Sequence, residues 1–200
     1  MSRITPAPKK QYEPLFGPDA DTRAQVFAQA PALAQAMVAF TEAGRKHGRL
    51  DARLIELVRL RVSFFNQCRS CMATRYDDAI AAGLTEDLVC SLEKPAEAAD
   101  LTDAERVALE FAERFATDHL SITDELFDRL RRHFSDGELM ELSFRVASFV
   151  GFGRMTAILD IATDALPERF RGDGILTPWG EGPTVRAAGV VKASANTAPR

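Results

Sequence analysis

The sequence has few cysteines and no long apolar run. Three cysteines in 200 residues are too few for the disulfide framework of a small secreted domain. The first ten residues, MSRITPAPKK, lack the apolar stretch of a signal peptide, and no window approaches the roughly 18 apolar residues of a membrane span. We therefore expect a cytoplasmic protein with no membrane partner. In a reducing compartment, a close pair of cysteines indicates catalysis, redox chemistry or metal binding.

An excess of charge of one sign is also absent. The chain has 25 basic and 29 acidic residues, a formal net charge of -4, and no long run of either sign. A basic groove is not predicted, which argues against a nucleic-acid or anionic-membrane partner. The 46% of hydrophobic residues is enough to bury a core.

Strand-like patterns are missing as well, because no stretch alternates with period two for long enough. The apolar residues recur at helical spacing, which predicts an all-α protein. We expect an extended N-terminal arm over 1–20, where four prolines fall, one helical domain over 21–166, and a partly disordered C-terminal arm over 167–200. Helices are predicted from Pro31, over 51–65, from about Cys68 to Gly83, and after Thr85, Thr102, Thr123 and Ser135.

The two halves of the predicted domain resemble each other. The tetrapeptide LIEL at 54–57 matches LMEL at 139–142, and RVSF at 61–64 has a looser counterpart in RVASF at 145–149. This indicates two degenerate helical repeats, over about 31–95 and 101–165. The alignment places glycine and threonine opposite the two closely spaced cysteines, so one active centre per chain is expected.

Those cysteines, Cys68 and Cys71, lie at the start of a predicted helix. Unpaired N–H groups and the positive end of the helix dipole lower the pKa of a thiol there. The three-residue offset keeps both sulfurs on one face, where they can interconvert between dithiol and disulfide. Arg69 and Arg75 add positive charge, and Arg75 would lie one helical turn beyond Cys71.

Two other interpretations of the pair are open. The cysteines can be small buried core residues, or they can bind zinc, which needs four ligands and usually two spaced pairs. The remaining candidate zinc ligands are Cys90, His47, His119 and His133. They are not at ligand spacing, so no metal and no cofactor are expected. Cys90 has no evident partner and is expected to be a small buried residue.

A longer pattern resembles a known family. Glu56, eleven intervening residues, Cys68, two residues, Cys71 and then GLT at 83–85 are similar to the core motif of the carboxymuconolactone decarboxylase and alkyl hydroperoxidase D-like (AhpD-like) family. The second half, from LTDAER at 101–106 through SITDELF at 121–127 and FSD at 134–136, is similar to two-repeat members. The resemblance covers about residues 25–165.

The resemblance implies an all-α AhpD-like fold, a homo-oligomer in which a trimer or hexamer is favoured over a dimer, and reduction of peroxides or disulfides. In the family the second cysteine, here Cys71, attacks the peroxide oxygen and becomes a sulfenic acid, which the first, here Cys68, resolves to a disulfide. A protein or dithiol reductant then restores both thiols. Glu56 would correspond to the carboxylate that accepts their protons.

The sequence departs from the family pattern at the relay histidine, four residues after the second cysteine. Arg75 occupies that position, and arginine can stabilise a thiolate but cannot shuttle protons. Tyr76 follows Arg75 in the sequence, but on a helix its side chain would point in a different direction from the relay position. Either the relay runs through Glu56 and water, or the pair performs a slower disulfide exchange.

The assignment of Glu56 has an alternative, since its repeat counterpart, Glu141, lies in the half without cysteines. A glutamate present in both halves can instead form an ion pair with Arg59 or Arg145. The function predicted first is a peroxidase-like thiol-disulfide oxidoreductase for antioxidant defence, with a hydroperoxide or disulfide as substrate. The alternatives are a decarboxylase or lactone-handling enzyme of the same family, which has no use for the cysteines, and a non-enzymatic helical oligomer.

Overall fold

The computed structural model describes residues 2–161, 166–172 and 174–179, together with the backbone of 184–186. The protein is helical, which confirms the predicted all-α class, and a pair of three-residue strands is added to the helices. The helices of the described residues are α1 Lys9–Phe16, α2 Thr22–Phe27, α3 Pro31–His47, α4 Ala52–Asn66, α5 Arg69–Ala73, α6 Asp77–Ala81, α7 Glu86–Cys90, α8 Asp103–Thr117, α9 Asp124–Arg131 and α10 Asp136–Ile158. The strands are β1 Thr74–Tyr76 and β2 Thr184–Arg186.

The chain divides into two compact units. One contains residues 2–48 with 159–161, and the other contains 49–158 with the described residues from 166 to 186. The boundaries expected at 20/21 and 166/167 do not coincide with these units. Residues 21–48 group with the N-terminal segment, and the residues after 166 group with the second unit.

In the first unit, the arm predicted over 1–20 contains the helix α1, so the prediction of an extended chain was wrong for residues 9–16. Pro8 precedes the helix, where a missing N–H costs nothing, and its carbonyl accepts from the Gln11 N–H at 2.8 Å. The helix includes Pro14 and ends at Gly17, whose φ of 85° favours glycine. The Gln11 side chain donates to the Ala28 carbonyl at 2.6 Å, which ties α1 to the end of α2.

The second unit is built around α4. Leu57, Val58, Leu60 and Val62 have no exposed surface, as expected for a helix that is apolar around most of its circumference. α4 packs against α8 and α10, which also contact each other. Asp51 caps α4 as predicted, accepting from the Arg53 N–H at 2.7 Å.

The other predicted helix starts in this unit are also confirmed. Thr85 caps α7 and accepts from the Leu88 N–H at 3.2 Å. Thr102 caps α8 in a capping box with Glu105. Helices α9 and α10 begin one residue after Thr123 and Ser135.

The single helix predicted from Cys68 to Gly83 is wrong, because the chain leaves the helix at Thr74. Residues 74–76 form β1, which pairs in parallel with β2, Thr74 opposite Thr184. The helix gives way to this strand pairing, and arginine side chains bind carbonyls at the junction. Arg59 binds the carbonyl of Thr74 at 2.7 Å, and Arg75 binds that of Met72 at 2.8 Å.

The C-terminal segment after 166 is also more ordered than the predicted arm. Phe170 has no exposed surface, and Trp179 packs against Phe64 with ring centroids 5.2 Å apart. Burial of two large aromatics fixes this stretch against the second unit although it is not α-helical. The rest of the predicted arm, residues 180–183 and 187–200, lies outside the described residues.

Helix α10 is 23 residues long and borders the core with one face. Its opposite face presents Met140 and Phe144, each 57% exposed, together with Ile158. Among the described residues, no helix combines the length and apolarity needed to cross a membrane.

Candidate redox site at Cys68 and Cys71

The two closely spaced cysteines form a disulfide. The sulfurs of Cys68 and Cys71 are 2.04 Å apart and their Cα atoms 5.2 Å apart. Cys68 has no exposed surface, whereas Cys71 is half-buried. The pair predicted from the sequence is therefore brought together, with Cys71 the more exposed residue.

The end of α4 delivers Cys68 to this position. Gln67 adopts the left-handed conformation, with φ 49° and ψ 38°. Its N–H donates to the Phe64 carbonyl at 3.0 Å, and the Cys68 N–H donates to the Ser63 carbonyl at 3.1 Å. These two bonds form a Schellman motif, which turns the chain directly into α5 with Cys68 as its N-cap.

Glu56 lies inside α4 and forms a bidentate ion pair with Arg59. Arg59 Nε donates to Glu56 Oε2 at 2.6 Å, and Nη2 donates to Oε1 at 2.7 Å. Both side chains are almost fully buried. The alternative that pairs Glu56 with Arg59 is therefore present, and the repeat counterpart Glu141 pairs with Arg145 at 3.5 Å.

Arg59 connects this ion pair to residues 67–76, which carry the two cysteines and are called the redox segment below. Its Nη1 donates to the main-chain carbonyl of Cys71 at 2.7 Å, and Nη2 donates to that of Thr74 at 2.7 Å. The Tyr76 ring lies 5.2 Å from the guanidinium carbon. Burial opposes the charge of Arg59, but the charge and hydrogen bonds of Glu56 and the charge of Tyr76 outweigh it and raise the pKa of Arg59.

Arg75, which occupies the relay position of the family pattern, is 1% exposed. It has five N–H donors, and all five have oxygen acceptors. Nε and Nη2 bind the Glu86 carboxylate at 2.9 and 3.1 Å, Nη1 binds the carbonyls of Met72 and Thr74, and Nη2 also binds that of Pro178 at 2.6 Å. Since α5 ends before it, Arg75 does not lie one helical turn beyond Cys71.

Arg169 holds together the segment after 166, whose Pro178 carbonyl binds Arg75. Its guanidinium donates to the carbonyls of Thr177, Pro178 and Trp179, all at 3.2 Å. Burial and the charge of Arg75 lower the pKa of Arg169, against opposing contributions from Glu86 and Cys90.

Cys90 is exposed, so the expectation of a small buried residue was wrong. It is the last residue of α7. A helix end at the surface leaves a side chain in solvent even when the preceding Leu88 and Val89 are buried. Among the described residues, no group of three or more His, Cys, Asp or Glu side chains is placed to hold a metal ion.

Sequence reasoning missed two residues of the site. Arg59 follows Glu56 at the i, i+3 spacing of helical ion pairs, so its partner was predictable, but its bonds to the Cys71 and Thr74 carbonyls were not. Gln67 pairs with Leu176, 109 residues away, and no local pattern indicates such a contact.

Comparison with known proteins agrees with this arrangement. A model of the carboxymuconolactone decarboxylase family matches residues 31–114. The chain is 26% identical over 112 residues to YdfG, an uncharacterized protein of Bacillus subtilis (strain 168), which corresponds to 56% of this chain and 76% of that protein.

Two solved structures have a similar fold. The AhpD core of a peroxidase-related protein from Ralstonia eutropha JMP134 aligns with TM-score 0.60 and 20% identity, covering 82% of this chain and 83% of that one. The debrominase Bmp8 aligns with TM-score 0.68 and 20% identity, covering 84% of this chain and 95% of that one. Residues 31–114, which include the Cys68–Cys71 disulfide, thus match the model of the carboxymuconolactone decarboxylase family, and the helical fold is AhpD-like.

Proposed function

We propose that this protein is a cytoplasmic thiol-disulfide oxidoreductase of the peroxidase type, with a role in antioxidant defence. The observation that supports this most directly is the Cys68–Cys71 disulfide, in which Cys71 is a half-buried residue and Cys68 a fully buried one. Such a pair can pass between dithiol and disulfide without rearranging the fold.

The difference in exposure supports the roles of the two sulfurs. The Cys71 thiolate attacks the terminal oxygen of a hydroperoxide, the O–O bond breaks, and the alkoxide leaves with a proton as an alcohol. Cys71 becomes a sulfenic acid. The Cys68 thiol then attacks the Cys71 sulfur, water leaves, and the disulfide forms. A dithiol or protein reductant reduces the disulfide and is itself oxidised.

Glu56 is the proposed proton acceptor for the thiols. Both of its carboxylate oxygens accept from Arg59, so any proton it takes up arrives beside that guanidinium. Tyr76, whose ring lies against Arg59, is the second proposed participant in proton transfer. Arg75, paired with Glu86, adds charge to the same segment.

A homo-oligomer, trimer or hexamer rather than dimer, is part of the proposal. The exposed apolar face of α10, with Met140 and Phe144, supports association because large apolar patches are rarely left in water. Sedimentation velocity tests this, and a monomer at micromolar concentration would contradict it.

The redox proposal is tested by adding an organic hydroperoxide to the fully reduced protein and following the Cys68–Cys71 disulfide by mass spectrometry. We expect one disulfide per peroxide consumed, a stable sulfenic acid in Cys68→Ser, and no reaction in Cys71→Ser. Cys90→Ser is the matched control and should react as the wild type does. Equal rates of peroxide loss in wild type and Cys71→Ser would overturn the proposal.

The family match also favours a second candidate, a decarboxylase or lactone-handling enzyme. That chemistry needs acid–base groups and no thiol. A protein with both Cys68→Ser and Cys71→Ser that retains full turnover of a carboxylated lactone would establish this alternative in place of the redox function.

A further inference from the structure

We propose that Arg59 is the positioning residue of the redox centre, fixing Cys71 through its main-chain carbonyl and placing a constant positive charge beside it. This rests on the proposed function only in taking Cys71 as the reacting thiol. It assigns to Arg59 the electrostatic role that the sequence suggested for Arg75.

The hydrogen bonds of Arg59 show why it can hold this segment. Two bonds fix the guanidinium to Glu56 on the same helix, and the other two bind the carbonyls of Cys71 and Thr74. Those carbonyls bracket the point where α5 ends and β1 begins. A planar guanidinium fixed on one edge by a carboxylate is a rigid support, so the Cys71 backbone has little freedom to move when its sulfur changes partner.

The direction of the ion pair determines which charge is nearer to Cys71. The nitrogen bonded to the Cys71 carbonyl is Nη1, and Nη1 makes no bond to Glu56. The positive end of the pair is therefore turned toward Cys71. A carbonyl oxygen and the sulfur of one cysteine are at most about 5 Å apart by covalent geometry, so the Arg59 charge acts on that sulfur from within a Debye length.

Arg75 is placed differently. Like Arg59 it is paired with a carboxylate, that of Glu86, but its remaining donors bind the carbonyls of Met72, Thr74 and Pro178 and not that of Cys71. The ionisable groups on α5 and on the elements packed against it or following it are Arg53, Glu56, Arg59, Arg61, Arg69, Arg75, Tyr76, Glu168 and Arg169. Of these, Arg59 has a hydrogen bond to Cys71 itself.

The chain provides a matched control on the same helix. Arg61 is also buried, pairs with Glu113 at 2.7 Å, and donates to the Leu92 carbonyl at 2.7 Å. It therefore has the same kinds of partner as Arg59 but binds neither cysteine. Arg61→Gln should lower the stability of the protein while leaving the pH dependence of Cys71 alkylation unchanged.

The experiment uses protein with Cys68→Ser and Cys90→Ser, so that Cys71 is the one remaining thiol. The rate of its alkylation by iodoacetamide is measured across pH. With Arg59→Gln we expect the midpoint of the curve of alkylation rate against pH to rise by about one pH unit. At one pH unit below the wild-type midpoint, alkylation should then be about tenfold slower. The rate on the alkaline plateau should not change. Arg59→Lys should show little of this rise in the midpoint, because lysine retains the positive charge.

A second variant gives the opposite sign and does not depend on the folding of Arg59→Gln. Glu56→Gln keeps the shape of the acceptor but leaves the Arg59 charge unopposed, so alkylation one unit below the midpoint should become about fivefold faster. Unchanged profiles in both Glu56→Gln and Arg59→Gln, or equal shifts in Arg61→Gln, would overturn the proposal. Because alkylation needs no peroxide, a failure of the peroxidase function would leave this result intact and distinguishable.

Discussion

Gln67 and Leu176 pair through two hydrogen bonds across 109 residues of sequence. Gln67 Nε2 donates to the Leu176 carbonyl at 3.1 Å, and the Leu176 N–H donates to Gln67 Oε1 at 2.8 Å. Arg75 makes the corresponding contact on the other side of the cysteines, to the Pro178 carbonyl. The C-terminal segment therefore binds the redox segment both before Cys68 and after Cys71.

Replacing Gln67 tests the strength of this attachment. Gln67→Ala removes both hydrogen bonds to Leu176 together with the one that Nε2 donates to the Phe64 carbonyl at 2.6 Å, and we expect the free energy of unfolding to fall by about 2–3 kcal/mol. Gln67→Gly removes the same bonds but adopts the left-handed conformation without a Cβ penalty, so its loss should be smaller by about 1 kcal/mol. Urea denaturation measures both. Equal losses in the two variants would show that the conformation at 67 does not matter.

Restoring the family histidine at Arg75 should be costly. Arg75→His leaves the Met72 and Pro178 carbonyls without their charged donor in a buried site, while Thr74 keeps its bond from Arg59, and the expected cost is about 2–4 kcal/mol. We expect no gain in the rate of disulfide formation, since the imidazole would occupy a site built around five hydrogen bonds. Denaturation midpoints and peroxide-driven oxidation are the measurements.

The control for that variant is Glu86→Gln. Its side chain is 42% exposed, so water can replace part of the ion pair, and the loss should be below about 1 kcal/mol. A stable Arg75→His protein that oxidises faster than the wild type would contradict the prediction and indicate that the relay site is still available to histidine.

Acid should weaken the start of α10 through Glu138. The Ser135 hydroxyl, and after it the Ser135 N–H, donate to this carboxylate and, helped by the charge of Arg49, lower its pKa below the ordinary 4.5, with burial opposing slightly. A lowered pKa in the folded state stabilises the protein above about pH 4.5, and this contribution disappears as the pH falls through the folded value. Wild type should thus exceed Glu138→Gln in stability at about pH 6 but not at about pH 3.

The matched variant for this test is Ser135→Ala, which removes the hydroxyl that donates to Glu138. The fall in its stability between about pH 6 and about pH 3 should be smaller than that of the wild type, as for Glu138→Gln. Urea midpoints measured across the acid range decide the matter, and a difference between wild type and Glu138→Gln that stays constant with pH would refute the assignment.

What the sequence could predict follows from how local each interaction is. The caps at Asp51, Thr85 and Thr102 involve residues within three positions of each other, so the local sequence pattern is enough to locate them. The i, i+3 spacing of Glu56 and Arg59 likewise offered their ion pair as an alternative.

The failures involve long-range partners. The predicted helix after Cys68 is too long because its apolar spacing continues, whereas residues 74–76 pair with 184–186 of the C-terminal segment. The C-terminal segment was assigned as an arm because its contacts, such as Trp179 with Phe64, leave no periodic pattern.

Cys90 provides a direct check of the cysteine inventory. In the native, untreated protein, the disulfide protects Cys68 and Cys71 while Cys90 is exposed, so maleimide should label one thiol per chain. After reduction under native conditions, Cys71 should label next and the fully buried Cys68 last. Mass spectrometry of the labelled peptides assigns each site. No labelling before reduction would restore the buried Cys90 expected from the sequence, whereas three labels before reduction would mean that the cysteine pair does not rest as a disulfide.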